Sequence, residues 1–321
     1  MVQRVRAAFV LGAGLGTRLR PLTNVIPKPL LPIYGNRLIT FALDHLIASG
    51  VERFVINTHH LSEQFAGFFT DQVYRGRKVD LVHEPVLLET GGGIRNASSL
   101  FDQEPFLVYS GDILTDIDIG ALLDFHFNSG SKVTLALRHT GLSTAVSFDP
   151  ETNRVVDIGG LLGSELPGGI DFANVSVWNP EMTRKIPAGR KISFIPVLAN
   201  AIRDGDRISG LVLDKQRWFN IGSRPEYLGI HHAVVSSGWR PSYLTELDWP
   251  TTIAHSAVVS AGVEIGGACW IGSESRIEPR AFLRDVVVWP GSTVRSNTHL
   301  SECVVAGTEV GPGTFCRTDF I

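Results

Sequence analysis

Residues 7–23 read AAFVLGAGLGTRLRPLT, a short apolar run that passes directly into a glycine-rich loop. The run from Ala7 to Leu11 is apolar at every position, which is typical of a strand buried on both faces of a sheet. Glycines at positions 12, 14 and 16 allow the backbone to turn sharply and to point successive N–H groups inward. This segment therefore predicts an anion-binding loop at the end of the first strand.

Short β-branched runs alternate with helical patterns from this loop to about residue 230. Strands are predicted at residues 54–57, 79–82, 106–109, 133–137, 172–178 and 208–213. Helices are predicted at residues 38–49, 62–72, 119–128 and 194–203, the third capped by Asp116 or Asp118. The alternation predicts an α/β fold with a mostly parallel sheet covered by helices on both faces. Ligands of such sheets bind beyond the carboxyl ends of the strands.

The periodicity changes after residues 238–250, a stretch with two prolines that is predicted as a linker. Every sixth residue is then apolar, at Ile253, Val259, Ile265, Ile271, Ile277 and Leu283, and a second phase starts at Val288. Six-residue repeats predict a parallel β-helix. We therefore expect one domain over residues 1–237 and a repeat domain over residues 251–321. Because the end of such a solenoid is open, we also expect a homo-oligomer that forms through the β-helix.

Composition limits the classes of function. The chain has 321 residues, of which 44% are hydrophobic and 19% charged, and its net charge is −3. This balance gives no basic field for nucleic acid or for an anionic membrane, and no apolar run reaches the roughly 18 residues of a membrane span. Three cysteines without a CxxC motif predict reduced thiols in a cytoplasmic protein.

The glycine loop is followed by two cations in a distinctive context. Arg18 comes directly after the glycines, and Lys28 lies ten residues later in PKPLLPI, residues 27–33. A Walker A loop would need Gly-Lys-Ser/Thr, and a dinucleotide-binding fold would need an acidic residue near Asn57 and Thr58; neither is present. GAGLGTRLRPLT and PKPLLPI together resemble the sugar-1-phosphate nucleotidylyltransferases, with the resemblance covering about residues 5–230.

The resemblance implies a Rossmann-like three-layer α/β/α domain followed by a left-handed parallel β-helix. It also implies the reaction of an NTP with a sugar 1-phosphate, assisted by Mg²⁺, in which a sugar-phosphate oxygen attacks the α-phosphorus in line. Such a transfer requires positioning and charge neutralisation more than covalent help. In this family Arg18 would stabilise the pyrophosphate and Lys28 would lie between the reacting phosphates. The remaining nucleotide-binding residues of the loop would be Leu11, Gly12, Ala13, Gly14, Gly16 and Thr17.

A second loop, HEPVLLETGGG at residues 83–93, would contact the nucleobase. The resemblance assigns nucleotide binding here to Glu84, Thr90, Gly91 and Gly92. A carboxylate accepts hydrogen bonds from guanine or from uracil, so Glu84 leaves both bases open. The ETGGG form is most similar to N-acetylmuramate 1-phosphate uridylyltransferases, whereas the mannose-1-phosphate guanylyltransferases more often show LGTAG.

The metal and sugar positions depart from the family pattern. The Gly-Asp motif matches Gly111, assigned to the sugar phosphate with Asn174, and Asp112, assigned to Mg²⁺. The second metal ligand of the family is an aspartate, and this chain has Asn220, which can coordinate Mg²⁺ but supplies no charge. The family's Glu-Lys-Pro lysine has no equivalent, because residues 158–169 contain no lysine. Arg190 or Lys191 is open as a substitute, although both also suit a solvated loop.

Two other readings stay open from the sequence. Asn220 and the missing lysine motivate a regulatory paralogue that binds nucleotide sugars without turnover. An additional acyltransferase activity of the β-helix is less favoured, since His255 and His299 are its only histidines.

Overall fold

The computed structural model describes residues 5–101, 103–140, 146–164 and 170–321. These residues form two compact units. One contains the chain up to Gly14 together with Ala42–Trp218, and the other contains Leu15–Phe41 together with Phe219–Ile321. Arg18 and Lys28 therefore belong to the unit that carries the repeats. The domain boundaries expected at residues 237 and 251 stay a prediction.

Strands outside the repeat region are, in chain order, β1 Ala7–Leu11, β2 Pro32–Ile33, β3 Asn36–Arg37, β4 Arg53–Thr58, β5 Val73–Tyr74, β6 Arg77–His83, β7 Phe106–Ser110, β8 Ile113–Thr115, β9 Val133–His139, β10 Val146–Asp149, β11 Arg154–Ile158, β12 Ile170–Trp178, β13 Ile208–Val212 and β14 Trp218–Asn220. The α-helices are α1 Leu38–Ala48, α2 Ser62–Phe68, α3 Glu89–Asn96, α4 Ile119–Ser129, α5 Phe194–Arg203 and α6 Arg224–Ser237. Short 3₁₀ turns lie at Thr17–Leu19, Leu22–Asn24, Lys28–Leu30, Thr70–Gln72, Ser98–Leu100 and Pro180–Lys185.

The first unit is built on one mixed sheet with the strand order β10-β11-β13-β9-β12-β7-β1-β4-β6-β5. The strands β7, β1, β4 and β6 run parallel, as expected. The strand predicted at residues 172–178 is β12, which runs antiparallel to both β7 and β9. Parallel neighbours need a crossover that is usually helical. The described residues between β9 and β12 contain no helix, so this part of the chain turns back on itself.

The helices of the first unit follow their local signals. Asp118 caps α4, because its Oδ1 accepts a hydrogen bond from Ala121 N at 2.8 Å. Helix α2 ends at Phe68, short of the predicted residue 72, because Phe69 leaves the helical conformation with ψ 63°. Helices α3 and α5 pack on the sheet through a core that includes Phe9, Val108 and Leu198. The α/β architecture is therefore confirmed, with helices and a sheet in layers.

The second unit contains the left-handed parallel β-helix. Its strands are β15 Val258–Val259, β16 Glu264–Gly266, β17 Trp270–Ile271, β18 Arg276–Ile277, β19 Phe282–Arg284, β20 Val287–Val288, β21 Thr293–Val294, β22 Thr298–Ser301, β23 Val304–Val305, β24 Glu309–Val310, β25 Gly313–Cys316 and β26 Asp319–Phe320. The described strands form three parallel sheets of four strands each. The residues of the repeat from Ile271 to Leu300 fill the interior.

A one-residue shortening explains the phase change in the repeat. Val258 pairs with Arg276, eighteen residues later, whereas Trp270 pairs with Val287, seventeen residues later. The coil at this point thus uses one residue fewer, and later coils are shorter still, since Thr293 pairs with Glu309 and Val304 with Asp319. The apolar series continues from Val288 without leaving the interior.

Helix α6 is tied to the last coils of the β-helix. Arg224 Nε donates to both carboxylate oxygens of Asp319, at 2.8 and 2.9 Å, and Arg224 Nη2 donates to the Glu302 carbonyl at 2.6 Å. The side chain of Asp319 is almost completely buried, and this burial raises the pKa of its carboxyl. The contact fixes the first turn of α6.

Two further features bear on the predicted environment. Cys269 and Cys303 are buried free thiols, and Cys316 is an exposed one. Among the described residues, no helix combines the length and the apolarity needed to cross a membrane.

Candidate active site

The glycine loop leaves β1 over a buried asparagine. Gly12 N and Ala13 N both donate to Asn57 Oδ1, at 2.9 and 3.3 Å. Asn57 lies in β4, which pairs with β1 in parallel, so the two strand ends meet at the same edge of the sheet. A Cβ atom on Gly12 would lie 2.7 Å from the Asn57 carbonyl oxygen. Only glycine permits this approach.

Glu84 lies beneath the same loop. It is 0% exposed, and its Oε1 accepts from Asn57 Nδ2 at 2.8 Å. Its Oε2 accepts from the backbone N–H of Leu88, also at 2.8 Å. A buried carboxylate is tolerated only when donors satisfy its oxygens. The structure thus places Glu84 inside a protein network, and its predicted contact with a base stays a prediction.

The ETGGG segment forms the first turns of α3, and its glycines allow close packing. A Cβ atom on Gly91 would lie 2.9 Å from the Ile192 carbonyl oxygen, and one on Gly92 would lie 2.5 Å from the Arg190 carbonyl oxygen. Thr90 Oγ1 accepts from Phe194 N at 3.1 Å. These contacts join α3 to the segment that precedes α5. Nucleotide binding by Thr90, Gly91 and Gly92 stays a prediction.

The Gly-Asp motif follows β7 at the same edge of the sheet. Gly111 N donates to the carbonyl oxygen of Leu11 at 2.9 Å, which holds the motif beside the end of β1. Asp112 is half-buried. In the strand before it, Tyr109 hydroxyl and His45 Nδ1 are 3.2 Å apart. Burial lowers the pKa of His45 to about 4, so this histidine is neutral at physiological pH.

The two cations of the motifs lie on short turns of the second unit. Gly16 has a left-handed φ of 58°, and its carbonyl oxygen accepts from Thr23 Oγ1 at 2.8 Å. This turn precedes Thr17 and Arg18, which are exposed, whereas Lys28 is half-buried. Local backbone contacts and the Thr23 hydroxyl therefore fix the turn that leads into Arg18.

The second unit also brings Arg18 and Asn220 together. A Cβ atom on Gly222 would lie 2.8 Å from Arg18 Nη2 and 3.0 Å from Asn220 Nδ2, so both side chains lie against this glycine. Glu226 Oε2 accepts from Gly222 N at 2.9 Å and from Ser223 Oγ at 2.7 Å. The predicted metal ligand and the predicted phosphate-binding arginine thus both lie against Gly222, just before α6.

Asn174 occupies an irregular position in β12. Its φ is 61°, and the register of β12 against β9 shifts between Phe172 and Ser176. The carbonyl oxygen before it, on Ala173, accepts from Trp218 Nε1 at 2.9 Å. A non-glycine residue with positive φ is uncommon inside a strand. The distortion separates Asn174 from the regular ladder.

Residues 7–237 match the sequence profile of the nucleotidyl transferase family, which covers more than half of the chain. The chain belongs to this family. It is 33% identical to the mannose-1-phosphate guanylyltransferase of Mycobacterium tuberculosis over 295 residues, which are 90% of this chain and 81% of that protein. It is 36% identical to the N-acetylmuramate alpha-1-phosphate uridylyltransferase of Neisseria meningitidis over 218 residues, which are 64% of this chain and 91% of that protein.

A solved structure agrees on the fold. The inositol-1-phosphate CTP transferase from T. maritima aligns with a TM-score of 0.57 at 22% identity, covering 69% of this chain and 91% of that chain. The Rossmann-like fold expected from the sequence is thereby confirmed, and the chain is an enzyme of the nucleotidyl transferase type.

The sequence patterns did not identify Arg138, a further cation of this nucleotidyl transferase. Arg138 lies at the carboxyl end of β9, with its guanidinium 4.8 Å from the ring centroid of Trp218. Trp218 in turn bonds to the residue before Asn174. The available signal was an arginine directly after a predicted parallel strand. Of the substitutes considered, Lys191 lies 3.7 Å from Glu89, and both Arg190 and Lys191 are exposed.

Proposed function

We propose that this nucleotidyl transferase moves the nucleotidyl group of GTP or UTP to a sugar 1-phosphate and releases pyrophosphate. A phosphate oxygen of the sugar 1-phosphate forms a bond to the α-phosphorus, and the bond from that phosphorus to the bridging oxygen of the β-phosphate breaks. The two named relatives are a guanylyltransferase and a uridylyltransferase, and each is named for a sugar 1-phosphate. The observation that carries the proposal is the glycine loop of β1 continuing into Arg18 and Lys28.

The residues divide the work on the phosphates. The loop from Leu11 to Thr17 lies against the triphosphate, and its N–H groups after Ala13 donate to the phosphates, because those of Gly12 and Ala13 already donate to Asn57 Oδ1. Arg18 binds the departing pyrophosphate through its planar guanidinium. Lys28 supplies a point charge to the reacting phosphates, which lowers the barrier because negative charge gathers there in the transition state.

Asp112 and Asn220 each offer a side-chain oxygen of a kind that binds Mg²⁺. Carboxylate and amide oxygens are both ligands of this ion, which usually takes one or two carboxylates and leaves other positions to phosphates and water. In the described part of the chain there is no cluster of three or more His, Cys, Asp or Glu side chains suited to a metal. When bound, the ion would neutralise phosphate charge.

We assign the sugar phosphate to Gly111, Asn174 and Arg138. Stacking on Trp218 fixes the plane of the Arg138 guanidinium, and stacked arginines keep the N–H groups at the edge of that plane for an anion. The Arg138 guanidinium would take the place of the family's lysine. Residues 158–164, the described part of the stretch where that lysine would lie, contain no cationic side chain.

The β-helix supports self-association in this proposal. Val258 and Ile265 are exposed apolar residues of the early coils. Among the described strands, β24, β25 and β26 each pair on one side only. Burying such edges against a second copy would complete their hydrogen bonding. Free thiols fit the proposed cytoplasmic location.

The test is a matrix of the five common NTPs against a panel of sugar 1-phosphates, with Mg²⁺ and a pyrophosphate-release readout. We expect release with GTP or UTP and with one class of sugar. Tight nucleotide binding in a calorimeter, without pyrophosphate release for any pair, would instead support the regulatory alternative and would contradict the proposal.

A further inference from the structure

The carboxylate of Glu84 determines the orientation of a neighbouring amide. An ionised carboxylate only accepts hydrogen bonds, and the two oxygens of Glu84 face Asn57 Nδ2 and Leu88 N. The Asn57 amide must therefore turn its nitrogen toward Glu84. Its oxygen is left facing the glycine loop, where Gly12 N and Ala13 N both donate to it.

In this hydrogen-bond network, only one assignment of donors and acceptors satisfies every group. Two backbone N–H groups of the loop require an acceptor, and the N–H group of Leu88 requires another. Asn57 offers one acceptor and one donor, so the residue at position 84 must accept at both ends. Gly93 packs tightly against this network, because a Cβ atom on Gly93 would lie 2.7 Å from Asn57 Nδ2 and 2.8 Å from Glu84 Oε1.

We propose that Asn57 and Glu84 are a pair of positioning residues that sets the shape of the glycine loop before the nucleotide binds. This inference rests on the proposed function and deepens it, since the ligand of the loop is the polyphosphate of the NTP. Glu84 acts through Asn57 and not through contact with the base. The two side chains are 0% and 2% exposed, so the pair is a permanent part of the fold.

The pair also determines which N–H groups of the loop are already hydrogen-bonded to the protein before substrate binds. Gly12 N and Ala13 N hold the backbone against β4. The loop then continues from a backbone that is fixed at Gly12 and Ala13. A preformed loop costs less ordering entropy when a ligand binds. Loss of the pair should therefore weaken NTP binding more than it slows the chemical step.

The decisive experiment exchanges the two functional groups. In Glu84→Gln, one amide N–H group must face another donor: the new amide faces Asn57 Nδ2 or Leu88 N, or Asn57 flips and its Nδ2 faces Gly12 N and Ala13 N. In Asn57→Asp, two carboxylates face each other across a 2.8 Å contact. In the double variant N57D/E84Q, the new carboxylate at position 57 would accept from the loop. The new amide at position 84 would donate to that carboxylate and accept from Leu88 N. Every hydrogen bond of the network is then kept, with the carboxylate at position 57 and the amide at position 84.

We expect each single variant to raise the KM for the NTP about 10- to 100-fold, with a smaller effect on kcat. We expect the double variant to recover at least about tenfold of that loss. The Asn57→Asp enzyme should also lose activity as pH rises, because the two carboxylates are compatible only when they share a proton. Wild type and the double variant should lack this pH dependence.

Asp44→Asn is the matched control. Asp44 is a carboxylate of α1 that is 4% exposed and accepts from Tyr74 Oη at 3.0 Å. This change should lower thermal stability without changing the KM for the NTP. A double variant no better than the weaker single variant would overturn the inference. So would a Glu84→Gln enzyme that keeps its KM for the preferred NTP but changes its preference among bases. If wild type itself releases no pyrophosphate, the proposed function fails instead.

Discussion

The buried network under the glycine loop and the cations that follow the loop contrast in how they are held. Asn57 and Glu84 are 2% and 0% exposed and are fully hydrogen-bonded to the protein. Arg18 is exposed, and its turn is fixed by backbone contacts and by Thr23. The first region is organised by the need to satisfy every buried polar atom. The second region is held by its local backbone, which leaves Arg18 exposed and Lys28 half-buried.

This difference predicts different consequences for the two regions. A change in the buried network alters the shape of the loop and the stability of the fold, because an unpaired buried donor costs about 1–3 kcal/mol. A change in the cations leaves the fold intact and removes electrostatic stabilisation from the reaction. Substitutions in the buried network should therefore change NTP binding and stability, whereas substitutions of the cations should change turnover.

Lys28→Ala should have the largest effect on turnover. We expect kcat to fall about 100- to 1,000-fold, because a preorganised charge at the reacting phosphates is lost. The thermal midpoint should stay close to that of wild type, since the side chain is only half-buried. Steady-state pyrophosphate release with a melting curve checks both expectations. Near-normal turnover would refute the role of Lys28.

Gly222→Ala should come next, with kcat/KM about 10- to 30-fold lower, because a charge-assisted contact to phosphate is misplaced. The added methyl group would lie 2.8 Å from Arg18 Nη2 and must displace it. Gly229→Ala is the matched control within α6, because outside the helix's own backbone no described atom lies within 4 Å of where its methyl group would be. That control should be as active as wild type and more stable by about 0.5–1 kcal/mol, since alanine favours helix. Equal kcat/KM values for the two variants would contradict the placement of Arg18.

Arg138→Ala should raise the KM for the sugar 1-phosphate about tenfold and leave the KM for the NTP unchanged. A single charge-assisted contact to phosphate accounts for an effect of this size. Arg138→Lys keeps the charge but loses the planar stack on Trp218, so it should recover only part of the loss. Initial rates with each substrate varied in turn provide the measurement. A rise in the KM for the NTP alone would move Arg138 out of the sugar site.

Asn220→Asp should have the smallest effect. The new charge should lower the Mg²⁺ concentration needed for half-maximal rate several-fold, because a carboxylate binds this ion more strongly than an amide. Titrating Mg²⁺ at fixed total nucleotide checks this. An unchanged titration curve would remove residue 220 from the metal site.

Much of the architecture was predictable from local patterns. The strand that begins at Ala7, the helix that begins at Leu38 and the repeat from Ile253 onward all follow hydrophobic periodicity, which burial imposes directly. The antiparallel direction of β12 was not predictable in this way. Periodicity shows that a strand is buried but does not show which neighbour it pairs with or in which direction.

The site was predictable in its residue types and less so in its contacts. Arg18 and Asn220 were identified separately, and the structure places both against Gly222. The base contact predicted for Glu84 stays a prediction, and the structure shows this carboxylate hydrogen-bonded within a buried network. The sequence offers no local signal for Asn57 as its partner, because the two residues are 27 positions apart and meet only through the pairing of β4 with β6.

The link between Arg224 and Asp319 has a consequence for synthesis on the ribosome. The two residues are 95 positions apart, so the first turn of α6 emerges long before its carboxylate partner is made. Until then the nascent chain holds an arginine without that partner, next to the segment that carries Asn220. We expect the transferase to become competent only after the strand that carries Asp319 has been translated.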